Sequence, residues 1–140
     1  SIDRMPDSVP ESFKAGLKAI MLRPPCAPVD RVIAGGMRLP WCGGLEVVDT
    51  AGHTPGHLSV YHSPTGTLIA GDALTANNGL LSGFDPNTTL DPAAAQASIV
   101  RLTALEVRQI MCYHGGLVTD RAKEQLAQVA QSVRSAGSLS

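Results

Sequence analysis

Two histidines and one aspartate stand where a metal site assembled from distant strands would need them. His53 lies in Val47-Val48-Asp49-Thr50-Ala51-Gly52-His53-Thr54-Pro55-Gly56-His57, a Gly/Thr/Pro turn after an apolar strand. Asp72 closes a second apolar run, Leu68-Ile69-Ala70-Gly71-Asp72. His114 follows a third, Ile110-Met111-Cys112-Tyr113-His114-Gly115-Gly116. Imidazole and carboxylate are zinc-ligand types, and strand ends let a rigid sheet aim them at one point. Plainer readings stand beside this one. His53 also suits a turn histidine bonded to backbone, and Asp72 an Asx turn or an N-cap ahead of Ala73-Leu74.

The G-H-T-P-G-H turn, the later G-D and the final Y-H-G-G resemble the metallo-β-lactamase superfamily in kind and in order, roughly over residues 28 to 130. The family's first signature, H-x-H-x-D-H, is missing from this sequence. The resemblance therefore implies the C-terminal half of that fold. The expected class is α+β: a half-sandwich with a mainly antiparallel sheet and helices on one face. It also implies roles. The position of His53 is the third histidine of the first metal site. That of Asp72 is the catalytic aspartate bridging two metals, and that of His114 is a ligand of the second. Tyr113 departs from the commoner G-H-G form and would narrow the pocket. His57 is expected to be structural, supporting the ligands without being one, and Asp49 to stand behind them.

In the complete fold two zinc ions would present a metal-bound hydroxide to an ester, thioester, amide or phosphoester. This chain supplies each ion with only two ligands, where a catalytic zinc usually has three from protein. The expected partners are a small-molecule substrate in the complete protein, and either a missing N-terminal half or a second copy. The competing reading is a non-catalytic, truncated half-domain that homodimerises through its exposed sheet. A third is a single-ion module built on His53, Asp72 and His114.

Composition bounds the rest. The 140 residues suffice for one domain, expected as an N-terminal helix and linker over 1–27, a core over 28–134 and a tail over 135–140. The net charge is −1, with no basic cluster, which argues against nucleic acid or an anionic membrane as partner. Cys26, Cys42 and Cys112 are an odd, widely spaced set, read as reduced thiols of a cytoplasmic protein. No run approaches the roughly 18 apolar residues of a membrane helix.

The elements that must position the three residues follow from patterning. Ser8 and Glu11 form a capping box ahead of a helix whose apolar face is Phe13, Leu17, Ile20 and Met21. Gly16 weakens that helix by roughly 1 kcal/mol, and Pro24-Pro25 ends it. Strands are expected at 31–34, 45–49, 58–62, 67–70 and 107–113, with 37–39 as a hairpin partner after Gly35-Gly36. Residues 73–90 read as one long loop, with Ala76 to Leu81 lining the mouth of the site. Asp91-Pro92 opens a helix with the stripe Ala95, Ile99, Leu102 and Leu105. Thr119 or Asp120 caps a last helix with the stripe Ala122, Leu126, Val129 and Val133. His62 reads as a strand histidine with no ligand role, and the three cysteines as packing residues.

Overall fold

A computed structural model describes residues 9–137. The chain divides into two units, Ser1–Val32 and Ile33–Ser140. In the first, helix α1 (Glu11–Leu22) starts from Pro10, whose carbonyl accepts the Phe13 and Lys14 N–H groups at 3.0 and 3.1 Å. Ser8, the expected cap, lies outside the described residues. The stripe of Phe13, Ile20 and Met21 forms as expected but is more than half exposed, and no α1 residue is buried.

The second unit runs β1 (Arg38–Leu39), β2 (Leu45–Asp49), β3 (Leu58–His62), β4 (Thr67–Gly71), β5 (Thr75–Asn77), β6 (Leu80–Ser82), α2 (Pro92–Leu102), β7 (Gln109–Cys112), β8 (Gly116–Val118) and α3 (Ala122–Gly137). Six strands form one sheet in the order β1-β2-β3-β4-β7-β8. Every neighbouring pair is antiparallel except β4 with β7, which is parallel and needs the long crossover through α2. The fold is therefore α+β with a mostly antiparallel sheet.

Period-two alternation sorts the strands into two faces. Tyr61, Leu68, Ala70, Ile110, Cys112 and Val118 point into a core shared with Ile99 and Leu102 of α2 and Leu126 and Ala130 of α3. The helices thus cover one face, as the sequence predicts. On the other, the paired residues Val60, Ile69, Met111 and Leu117 form an apolar row across the sheet. Met111 and Leu117 are 44% and 46% exposed.

Some expectations fail locally. Residues 31–34 are irregular, and the hairpin partner of β1 is β2, with Arg38 opposite Glu46. Residues 73–90 are not one loop, because β5 and β6 form a hairpin. Its turn is Asn78-Gly79, both with positive φ (49° and 79°), the two-residue connection that matches strand twist. β8 has no counterpart among the expected strands, since Leu117-Val118 is too short to show a period. The stretch 135–137, expected as tail, continues α3.

The start of α2 follows its sequence signal. Asp91 accepts the Ala94 N–H at 3.0 Å, with proline in the first turn. Gln125 fastens α3 to the hairpin by accepting the Leu81 N–H at 2.8 Å and donating to the Gly79 carbonyl at 3.1 Å.

Candidate metal centre

His53 sits in the β2–β3 connection, and that turn is seated on the N-terminal end of α2. The carbonyls of Ala51, Gly52 and His53 accept from Ser98 Oγ (2.7 Å), Asp91 N–H (2.9 Å) and Leu90 N–H (3.3 Å). Gly52 is required here. Its φ is +146°, and a Cβ would lie 2.5 Å from the Ala95 backbone. Gly56, the other glycine of the turn, has no positive φ and would add its Cβ into open space.

Asp72 follows β4 directly. Its backbone N–H donates to His57 Nε2 at 3.1 Å. His57 Nδ1 lies 2.9 Å from Thr50 Oγ1 and 3.2 Å from the Thr50 carbonyl. Thr50 Oγ1 lies 2.9 Å from Ser59 Oγ, and Ser59 donates to the Ala70 carbonyl at 3.1 Å. The chain of bonds has only one consistent direction. Ser59 spends its proton on Ala70, so Thr50 donates to Ser59 and His57 Nδ1–H donates to Thr50. Nε2 is then the bare nitrogen that accepts from Asp72. Both ring nitrogens of His57 are thus spent on holding the turn to the Asp72 backbone.

His114 occupies the tip between β7 and β8. Its carbonyl accepts the Ala76 N–H of β5 at 2.9 Å, and Tyr113 N–H donates to the Gly71 carbonyl at 3.2 Å. Gly115 (φ +98°) packs against the Ala76 carbonyl so closely that no side chain fits. The hairpin and the His114 tip therefore hold each other.

The three predicted residues converge on Asp72. His53 Nε2 lies 3.7 Å from Asp72 Oδ2, and His114 Nε2 lies 3.4 Å from Oδ1. The His53 and Asp72 side chains are 24% and 22% exposed, while His114 is 80% exposed. Asp72 Oδ1 is buried and has no hydrogen bond. A buried carboxylate oxygen without a donor is costly in a native fold, and a cation is the usual remedy. The donor chemistry thus fits a metal. The count falls short: among the described residues no three His, Cys, Asp or Glu side chains are grouped to hold one ion. What exists is two histidines facing the two oxygens of one carboxylate.

A cavity of about 330 Å³ opens beside them, lined by Asp72, Thr75, Asp85, Thr88 and His114. None of the segment Ala76 to Leu81, expected at the mouth, lines this cavity; Thr75, the first residue of β5, does. Asp85 is the lining residue that the sequence reading missed. Its signal is the turn sequence Asp85-Pro86-Asn87, with the aspartate gripping the backbone two residues on. Asp85 Oδ1 accepts Asn87 N–H at 2.9 Å and Asn87 Nδ2 at 3.1 Å.

The remaining candidates stand apart from the centre. His62 is fully engaged, with Nδ1 at 2.7 Å from Thr65 Oγ1 and Nε2 at 2.7 Å from the Cys42 carbonyl. Asp49 is exposed, accepts the Ala51 N–H at 3.3 Å and lies 3.8 Å from Arg101 Nη1. Cys26 and Cys42 are exposed free thiols. Cys112 is a core thiol whose burial pushes its pKa up from 9.0 to about 11.

The metallo-β-lactamase superfamily profile matches residues 22–113, and the chain belongs to that superfamily. Among solved structures, a metallo-β-lactamase family protein from Thermus thermophilus is 28% identical with a TM-score of 0.58, over 80% of this chain and 37% of that one. An archaeal superfamily protein from Sulfolobus tokodaii is 22% identical with a TM-score of 0.58, over 71% of this chain and 38% of that one. The B3 metallo-β-lactamase BLEG-1 is 24% identical with a TM-score of 0.64, over 84% of this chain and 56% of that one. The last two are similar in fold alone. The chain spans less than two thirds of the length of each of these structures. No curated protein matches it. No helix among the described residues is long and apolar enough to cross a membrane.

Proposed function

We propose that this chain supplies one wall of a binuclear zinc hydrolase site. Asp72 would serve both ions, His53 the first and His114 the second. One observation carries this reading: each oxygen of one carboxylate faces a different histidine, and the buried oxygen has no other donor. Zinc in such a site supplies Lewis-acid polarisation and acidifies water toward pKa ~7.

The chain's own residues do the positioning. The seat on α2 aims His53, His57 fixes the Asp72 backbone, and the β5–β6 hairpin holds His114. The cavity beside Asp72 and His114 receives the substrate, an ester, thioester, amide or phosphoester. Each ion needs further ligands, which the proposal assigns to a separate part of the complete protein or to a second chain.

Cobalt absorption tests the metal assignment. In the complete protein, two equivalents of cobalt should bind. His53→Ala and His114→Ala should each remove one, and Asp72→Ala should weaken both. Full binding by all three variants would refute the proposal.

A further inference from the structure

Ala76 and Leu81 stand directly opposite each other in the β5–β6 hairpin, yet their N–H groups serve different neighbours. The Ala76 N–H donates to the His114 carbonyl at 2.9 Å. The Leu81 N–H donates to Gln125 Oε1 of α3 at 2.8 Å. In alternate antiparallel pairs the backbone groups point outward from both strands, so one hairpin can be gripped from both sides. A line of main-chain contacts therefore runs from α3 across two strands to His114. The same hairpin opens at Thr75, shortly after Asp72 in the chain. Its sideways position thus sets where His114 stands relative to the Asp72 carboxylate.

Gln125 has the chemistry this grip requires. Its Oε1 accepts the Leu81 N–H, while Nε2 donates to the Gly79 carbonyl at 3.1 Å and the Asp120 carbonyl at 2.8 Å. All three partners are main-chain groups of fixed polarity, so the carboxamide has one orientation. Neither a carboxylate nor an ammonium could make all three bonds. The next residue, Leu126, is fully buried, so the helix that carries Gln125 is anchored in the core. On the far side Gly115 packs against the Ala76 carbonyl with no room for a Cβ. The His114 side chain is 80% exposed, so it is its backbone that places it.

We infer that Gln125 is a positioning residue for His114, acting through the hairpin. It lies outside the lining of the cavity beside Asp72. The inference deepens the proposed zinc site and rests on that reading for its catalytic meaning. Its effect is confined to one ion, because the His53 turn is seated on α2 by separate bonds.

The test uses the complete protein, first stripped of metal by a chelator and then titrated with cobalt. In the metal-free protein, Gln125→Leu should shift the imidazole resonances of His114 and leave those of His53 and His57 in place. On titration it should weaken one cobalt equivalent about fivefold and spare the other. The weakened equivalent should be the one that survives in His53→Ala. Gln125→Glu keeps the acceptor for Leu81 and loses both donations. It should give a smaller change in the same direction, and it carries the test if the leucine variant fails to fold. Gln128→Leu, on the same groove between β6 and α3, should change neither readout.

Equal weakening of both equivalents, or an equal effect of Gln128→Leu, would reduce Gln125 to general support of the fold and overturn the inference. So would unmoved His114 resonances in a variant whose Leu81 amide exchanges faster, since the grip would then be broken without reaching the site. Absence of cobalt from the wild-type protein would remove the hydrolase reading, while the metal-free resonances of His114 would still decide the role of Gln125.

Discussion

His57 Nε2 accepts the backbone N–H of Asp72 at 3.1 Å, so a third histidine steers the residue whose carboxylate faces both His53 and His114. The ring is held in turn by Thr50 and Ser59, which are both buried and lead back to Ala70 of the strand before Asp72. Three strands are tied to one backbone amide.

Breaking that tie should register in stability and in metal affinity together. His57→Ala strands the Asp72 N–H and removes the donor to Thr50 Oγ1, at a cost of about 2 kcal/mol in urea unfolding. It should also weaken cobalt binding to the complete protein about tenfold, as loss of a supporting partner does. Thr50→Val acts on the same chain of bonds, so the double variant should lose less than the sum of the singles. Additive losses would mean that these residues do not act as a unit.

Asp72 should cost the metal-free fold stability. Its buried oxygen lacks a donor, so Asp72→Ala after chelation should leave the protein at least as stable, gaining up to about 1 kcal/mol. Calorimetry on chelated samples checks the sign. A large loss would give Asp72 a structural role in place of a metal-binding one.

Gly115 should tolerate no side chain. Gly115→Ala drives a methyl into the Ala76 carbonyl and strains a left-handed backbone, together costing about 1–3 kcal/mol. The hairpin must then part from the His114 tip. Hydrogen exchange should accelerate across 75–82, and foremost at the Ala76 amide that donates to His114. Unchanged exchange there would contradict the mutual support.

Cys112 sets an alkaline limit. Burial raises its pKa to about 11 in the folded chain, above the 9.0 of a free thiol. Between those values the unfolded state loses the proton first, so the unfolded chain is favoured as pH rises. The Cys112 contribution to stability should be level below pH 9 and fall by about 2 kcal/mol toward pH 11. Cys112→Ala should flatten that slope, whatever it costs in packing. At pH 8, Cys26 and Cys42 should react with a thiol reagent and Cys112 should not.

The sequence carries the site further than it carries the sheet. His53, Asp72 and His114 are legible because glycine-bearing turns follow apolar strands, and both histidines do meet Asp72 in space. Residues 31–34 mislead because the three apolar residues after Arg31 have no partner written into them. The β5–β6 hairpin has its signal in Asn78-Gly79, but the polar residues around that turn mask it. β8 has no signal at all, since Leu117 and Val118 pair only once β7 is in place. Asp85 lines a cavity only because distant segments meet there, which no local pattern records.

The parallel pairing of β4 with β7 also sets an order of assembly. β2, β3 and β4 are successive hairpins whose contacts are close in sequence, so His53 and Asp72 are brought together by fast local closure. His114 arrives only after the α2 crossover has closed a far larger loop, at a higher entropic cost. Refolding followed by pulse labelling should thus protect the β3 amides before those of β7. On that order His53 and Asp72 should meet early in folding, and His114 should join them only at the last long-range step.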